Sequence, residues 1–278
     1  MSKPLLMGIV NATPDSFSDQ QGAKPVEALV ARAHKLAAEG AGLIDVGGES
    51  GRTDRSAVSI NEEIARVVPL IERLVADGLV VSVDTWRGPV ARAALDAGAQ
   101  MVNDPSGLTD LAVAEVCATA GARLVITHTR VPPKVKGFPH YDDVVADVRD
   151  FLLERAAIAV ERGMEEGALV LDPGIDLGKS PAESIELLRR LPELVDIGRP
   201  VLVAASRKDF VGALTGRPPA ERDAGTLAAL GAAVDGGAAI LRVHDVASAR
   251  DYLLVHAALR DGSIPDLHLP HGLRREVV

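Results

Sequence analysis

Eight short apolar runs of this chain each stop at a polar or charged residue of a kind that does chemistry. Asn11 follows residues 5–10, Asp45 and Glu49 close the run from Leu43, and Asp84 follows residues 79–83. Asn103 and Asp104 follow Met101 and Val102, and His128 follows residues 124–127. Asp172 follows residues 169–171, Ser206 to Lys208 follow residues 201–205, and Arg242 and His244 end the run from Ile240. Chance would scatter such groups along the elements rather than collect them at one end. Parallel strands closed into a barrel bring their C-terminal ends to one rim, where such groups converge on a substrate. The pattern predicts a (β/α)8 TIM barrel and names the face where function sits.

The intervening segments read as helices. Val26, Leu29, Val30, Ala33, Leu36 and Ala37 make one apolar stripe, and Ile60, Ile64, Val67, Val68, Ile71, Leu74 and Val75 another. Ser59 with Glu62, and Ser180-Pro181 with Glu183, carry capping-box signatures. Gly40, Gly78, Gly98, Gly121, Gly163 and Gly236 stand where helices should stop, since glycine enters the left-handed conformation without steric cost. Strand, helix, glycine, strand along the whole chain favours a parallel sheet with right-handed crossovers. Eight repeats, and no GxGxxG after the first strand, favour closure over an open doubly wound sheet. The 278 residues suit one such barrel, which typically needs ~250, so residues 1–262 are expected to form it. Residues 263–278, proline-rich and weakly periodic, are expected to be a surface tail. Long polar connections at residues 12–24, 48–59 and 129–140 are the expected active-site loops.

Alanine, valine and leucine supply the core, because aromatics are only 3% of the chain. A net charge of −9 argues against nucleic acid and anionic membrane surfaces as partners. It leaves open a small anion held by local cations. One cysteine excludes an intrachain disulfide framework and fits a reducing compartment. With no signal peptide and no apolar run near the ~20 residues that span a bilayer, the expectation is a cytoplasmic protein.

At the rim, Asp172 could accept two parallel N–H bonds from a guanidine-like edge, act as a base, or merely cap a turn. Lys208 follows strand seven, and Arg242 and His244 share one side of strand eight because alternate residues share a face. Each alone could be a solvated charge; together, after strands seven and eight, they predict a small-anion site. Asp84, Asn103 and Asp45 could hydrogen-bond neighbouring strands, the reading favoured for Asp45. The run from Gly174 to Gly178-Lys179-Ser180 is one residue too short for a phosphate loop. His128, His140 and His244 lack zinc-site spacing, and Ser206 sits in no GxSxG elbow.

These residues, with Asn11-Ala12-Thr13-Pro14-Asp15-Ser16-Phe17-Ser18-Asp19, Asp45-Val46-Gly47-Gly48-Glu49-Ser50, Ser82-Val83-Asp84-Thr85, Asn103-Asp104, Asp172-Pro173-Gly174, Ser206-Arg207-Lys208 and Arg242-Val243-His244-Asp245, resemble in order the motifs of the dihydropteroate synthases. That family joins a dihydropterin pyrophosphate to p-aminobenzoate and releases pyrophosphate, on the folate pathway. The resemblance implies that Asp172 and Asn103 pair with the pterin ring, with Asp84 and Lys208 completing the pocket. It implies Mg²⁺ at Asn11 beside a pyrophosphate bound by Arg242 and His244. Asp15, Phe17, Asp19 and Arg52 would close over the second substrate, Asp15 or Asp19 stabilising positive charge, and the family suggests a homodimer through the last helices. A leaving pyrophosphate needs cations and a metal to offset its developing charge.

Departures from the pattern bear mostly on the second-substrate side. Ser50-Gly51-Arg52-Thr53 keeps an arginine but loses the usual proline that helps wall the aminobenzoate pocket, Leu177 replaces a phenylalanine that usually flanks the pterin, Asp176 the glycine before it, and Thr127 stands where a methionine is common. Asp209 replaces the serine at a helix start that receives the aminobenzoate carboxylate. There it is expected to set charge against charge, ~4 kcal/mol at 4 Å and an effective dielectric near 20, and to occupy the helix N-terminus itself. The alternative reading is therefore a pterin-binding paralogue that does not use p-aminobenzoate. Pterin-linked methyl transfer on the same barrel fits the loop at residues 13–19 less well.

Overall fold

The computed structural model describes residues 3–12, 25–49 and 57–262. Its sheet contains β1 (Leu5–Asn11), β2 (Leu43–Gly47), β3 (Val81–Asp84), β4 (Met101–Asp104), β5 (Arg123–Thr127), β6 (Leu169–Asp172), β7 (Leu202–Val203) and β8 (Ile240–Val243). All pairings are parallel in the order β6-β5-β4-β3-β2-β1-β8-β7. A parallel bridge from Leu171 to Val201 joins the two ends, so the sheet closes into the predicted barrel.

Helices alternate with the strands: α1 (Pro25–Glu39), α2 (Ile60–Ala76), α3 (Gly88–Asp96), α4 (Ala112–Ala120), α5 (Val144–Glu161), α6 (Pro181–Arg189), α7 (Leu191–Val195), α8 (Asp209–Thr215), α9 (Asp223–Asp235) and α10 (Val246–Asp261). Two exceed the strict alternation: α7 follows α6 after a break at Arg190, and α8 precedes α9 at the rim. The capping expectation holds fully at α6, where Ser180 and Glu183 bond reciprocally. At α2 it holds by half: Ser59 accepts from Glu62 N at 3.2 Å, while the Glu62 carboxylate turns to Arg66. Gly121 ends α4 at φ +64°, as expected, but Gly236 after α9 is right-handed at −75° and Gly237 takes the positive φ instead.

The core has two shells because a strand shows alternate residues to opposite sides. Outward residues such as Leu6, Val10, Ile44, Val83, Ile126 and Leu241 join the helices in one apolar layer. Inward residues Met7, Leu43, Met101, Val125, Val170, Leu202 and Ile240 meet inside the barrel as a second cluster. Moving two residues along each strand from that plug keeps the inward side and reaches Ile9, Asp45, Asn103, Thr127, Asp172, Ala204 and Arg242. The barrel interior thus turns from apolar to charged within one pleat, and the rim chemistry rests on a packed floor.

Candidate active site

Three of these inward groups, with Asp84 at the end of β3, form a continuous chain across strands β4, β2, β8 and β3. Asn103 Nδ2 donates to Asp45 Oδ2 at 3.1 Å, and Arg242 Nε donates to the same oxygen at 2.7 Å. Arg242 Nη2 donates to Asp84 Oδ2 at 2.8 Å. Asp45 is fully buried and acts as the hub that ties three strands. Asn103 spends its amide nitrogen on Asp45, and its Oδ1 has no hydrogen-bond donor among the described residues. Burial, augmented by the charge of Asp45, lifts the Asp84 carboxyl to about 7 against the opposing pull of Arg242.

Asp172 closes β6 on the facing side. Its Oδ1 accepts from Gly174 N at 2.7 Å, and burial raises its pKa against that bond and the Lys208 charge. The Lys208 ammonium has no hydrogen bond or ion pair among the described residues, and burial holds its pKa below the ordinary lysine value. An unspent ammonium beside a carboxylate, an amide oxygen and the Asp84–Arg242 pair is a donor–acceptor lattice for a flat heterocycle with mixed ring N–H and N groups. At the adjacent corner, His244 Nδ1 and the Ser206 hydroxyl lie 2.9 Å apart. Burial, with Arg207 and Arg242 nearby, drops the His244 pKa to about 4, so its ring is neutral near pH 7 and presents Nε2.

Several predicted groups stand elsewhere. Arg207 turns outward at φ +60° to a two-point bond with Asp223 (2.8 and 3.2 Å), so of the two adjacent cations only Lys208 enters the site. His128 is fully buried behind the barrel, with Nε2 2.8 Å from Asp147 and its ring edge-on to Phe151. The expectation for Asp209 is corrected. Asp209 opens α8, but its carboxylate, 86% exposed, pairs with Arg222 at 3.0 Å. The amide of Asp209 is taken instead by Asp176 Oδ2. Asp15, Phe17, Asp19, Arg52 and Thr53 lie outside the described residues.

Two features gave no readable signal in the sequence. Lys179, dismissed with the phosphate-loop reading, is a fully buried clamp: its Nζ donates to the carbonyls of Gly174 (2.9 Å), Leu177 (3.0 Å) and His128 (3.3 Å). Burial brings its pKa down to about 7. Behind the β2 connection, Glu49 pairs with Arg87 at 3.0 Å and Lys134 at 3.3 Å, while Arg87 also holds Glu63. That network pins the β5 connection to the end of β2. A single-sequence reading has no period that would reveal either.

The description "pterin binding enzyme" belongs to the family model that matches residues 7–244. The chain belongs to that family, and within it to the dihydropteroate synthases. It is 42% identical over 264 residues to the dihydropteroate synthase of Mycobacterium leprae, covering 91% of this chain and 92% of that one. The dihydropteroate synthase of Xanthomonas albilineans, solved with 4-aminobenzoic acid, superposes with TM-score 0.88 at 46% identity, covering 95% of this chain and 94% of its own. An inactive dihydropteroate synthase 2 of Mycobacterium leprae is 41% identical over 279 residues, 98% of this chain and 95% of its own. Overall identity therefore fixes the family, and the chemistry of the mouth decides the activity.

Proposed function

We propose that this barrel condenses 6-hydroxymethyl-7,8-dihydropterin pyrophosphate with p-aminobenzoate, releasing pyrophosphate and forming dihydropteroate. The observation that carries this is the lattice of Asp84, Arg242, Asp45 and Asn103 facing Asp172 and the unspent Lys208 ammonium. Asp172 and Asn103 Oδ1 accept from the pterin's amino group and ring N–H, Lys208 donates to the ring's acceptor edge, and Asp84 fixes the Arg242 guanidinium. Arg242 Nη1, neither of the two nitrogens bound to carboxylates, and His244 Nε2 face the pyrophosphate. The amine lone pair forms the new bond to the pterin methylene carbon as the carbon–oxygen bond breaks, pyrophosphate departs with that electron pair, and the amine nitrogen then sheds a proton. Asp15 or Asp19 would stabilise the positive charge at that nitrogen, and Phe17, Arg52 and Asp209 would border the amine.

Mg²⁺ fits the mouth as a partner of the leaving group. Asn11 ends β1 with its side chain exposed and Oδ1 directed toward Gly47. One protein oxygen plus phosphate oxygens and water is the coordination this ion ordinarily accepts. When bound it would neutralise charge developing on the pyrophosphate.

A homodimer through the last helices is supported by Leu254, Val255 and Leu259, exposed together on α10. No helix among the described residues is long and apolar enough to cross a membrane, and the one cysteine, Cys117, is buried and free; both accord with a cytoplasmic protein. Residues 1–262 would be the barrel unit and 263–278 its tail. The deciding assay is pyrophosphate release with Mg²⁺ and the pterin pyrophosphate, with and without p-aminobenzoate. Release that depends on p-aminobenzoate, with dihydropteroate formed, supports the assignment. Pterin binding without such dependence supports the paralogue reading.

A further inference from the structure

A cavity of about 440 Å³ opens between the connections after β5 and β6. Asp176, Leu177 and Asp209 line it together with Lys134, Lys136 and Phe138. Lys134 is engaged by Glu49, whereas Lys136 is exposed and has no hydrogen bond or ion pair among the described residues. Asp176 is built into its wall at some cost, since its φ of +62° is a conformation that side chains other than glycine, asparagine and aspartate rarely adopt. Three bonds hold it there. Ser184 Oγ donates to Oδ1 at 2.9 Å, Asp176 N donates to Ser184 Oγ at 3.1 Å, and Asp209 N donates to Oδ2. Asp176 is one of the carboxylates, with Asp172, whose charge acts on the Lys208 ammonium. The carboxylate therefore stands fixed in the cavity lining with the Lys208 ammonium close by, and this is the cavity that the proposed condensation leaves for the attacking amine.

We propose that Asp176 is a specificity-determining residue that sets the charge preference for the amine substrate, disfavouring a carboxylate relative to its uncharged isostere. The inference rests on the proposed condensation. A fixed carboxylate in the lining repels an acid carried by the aryl ring; among the described residues the unspent cations around it are Lys208, which faces Asp176 from the pterin side, and the exposed Lys136. An aryl amine bearing a primary carboxamide in place of the acid feels no such repulsion. The charge of Asp209 adds less, because it is solvated and paired with Arg222.

The test compares p-aminobenzoate with p-aminobenzamide as substrates of the wild type, Asp176→Asn and Asp176→Gly. Asparagine keeps the left-handed turn and the bond to Asp209 N while removing the charge; glycine removes the side chain. The expected result is a roughly tenfold rise in kcat/KM for the acid in Asp176→Asn, with the amide changed by less than about twofold, and the same direction in Asp176→Gly. Parallel changes for both amines, or none for either, overturn the proposal. Calorimetric binding of each amine in the presence of 6-hydroxymethylpterin and pyrophosphate reads the same ratio without turnover. A shifted binding ratio in a protein that makes no dihydropteroate would refute the condensation and keep the role of Asp176. An unshifted ratio in an active enzyme would do the reverse.

Discussion

Replacing Arg242 by methionine tests the electrostatic frame of the site. The arginine, only 18% exposed in its side chain, is shared by Asp45 and Asp84 at 2.7 and 2.8 Å, and Asp45 is fully buried. Methionine approximates the length of the stem but leaves both carboxylates without their cation; Asp45 keeps only the Asn103 amide. Removing one partner of a buried ion pair costs about 3–5 kcal/mol. At about 2–4 °C per kcal/mol for a chain of this size, Arg242→Met should melt about 6–20 °C below the wild type at pH 8.

Two controls make the reasoning refutable. Arg242→Met with Asp45→Asn replaces the hub carboxylate by a neutral acceptor and should regain half or more of the loss. The deficit should also shrink on acidification. Asp84 already titrates at about 7, and losing Arg242 removes the charge that opposes its upward shift. A carboxyl whose folded pKa lies above its unfolded value near ~3.9 is penalised fully above the folded pKa and progressively less as pH falls. Chemical melts at pH 8 and pH 5 on the single and double variants read both effects. A deficit under about 1 kcal/mol, or one equal at the two pH values, would show that the carboxylates are hydrated or repaired by neighbours and that the chain from Asn103 to Asp84 is not a stabilising unit.

Other predictions follow from the same geometry. Asp84→Asn should be more stable than the wild type at pH 8 and level with it near pH 4, because the wild-type penalty appears as pH rises through about 7; urea melts across that range check the sign, and pterin binding by calorimetry should weaken. Lys179→Met should lose roughly 2–4 kcal/mol of stability, since three carbonyls forfeit a charged donor, and an unchanged melting temperature would show that water replaces the ammonium. Asp209→Ser should change stability by less than about 1 kcal/mol, because its exposed pair with Arg222 is solvated; its effect on KM for p-aminobenzoate should be smaller than that of Asp176→Asn, and a larger one would restore Asp209 as the obstacle.

What was readable in the sequence follows the reach of the strand period. Asp45, Asn103, Asp172 and Arg242 each sit two residues beyond an apolar plug residue, so alternation alone places them inside the barrel at its mouth. The period fails where the strand stops. Arg207 and Lys208 are adjacent cations, yet the positive φ of Arg207 sends one outward to Asp223 and leaves the other in the site. His128 follows β5 directly, but its ring packs behind the sheet against Phe151 because Asp147 on α5 offers the partner. Nothing local marks either outcome, since each depends on a residue brought close by the closure of the barrel. Asp209 misled for the same reason: helix-end chemistry favours a carboxylate there, and the fold supplies one from Asp176, 33 positions earlier.

The two halves of the site therefore differ in how they are held. Apart from Lys208, the pterin half is drawn from strand ends, and Asp45, Asp84 and Asn103 lie on strands paired on both sides, so they cannot shift without disturbing the sheet. The amine half is drawn from connections: Asp176, Asp209, Lys136 and Phe138 lie beyond the ends of β5, β6 and β7. A side chain there can change while every ladder bond of the barrel survives, which is how surface loops carry specificity on a fixed scaffold. Asp176 shows the terms on which this happens, because its strained turn persists only through the bonds with Ser184 and the Asp209 amide. Ser184→Ala should accordingly loosen the Asp176 carboxylate and move amine selectivity toward the acid, as Asp176→Asn does, while leaving pterin affinity unchanged. A loss of pterin affinity would mean that the two halves are mechanically one.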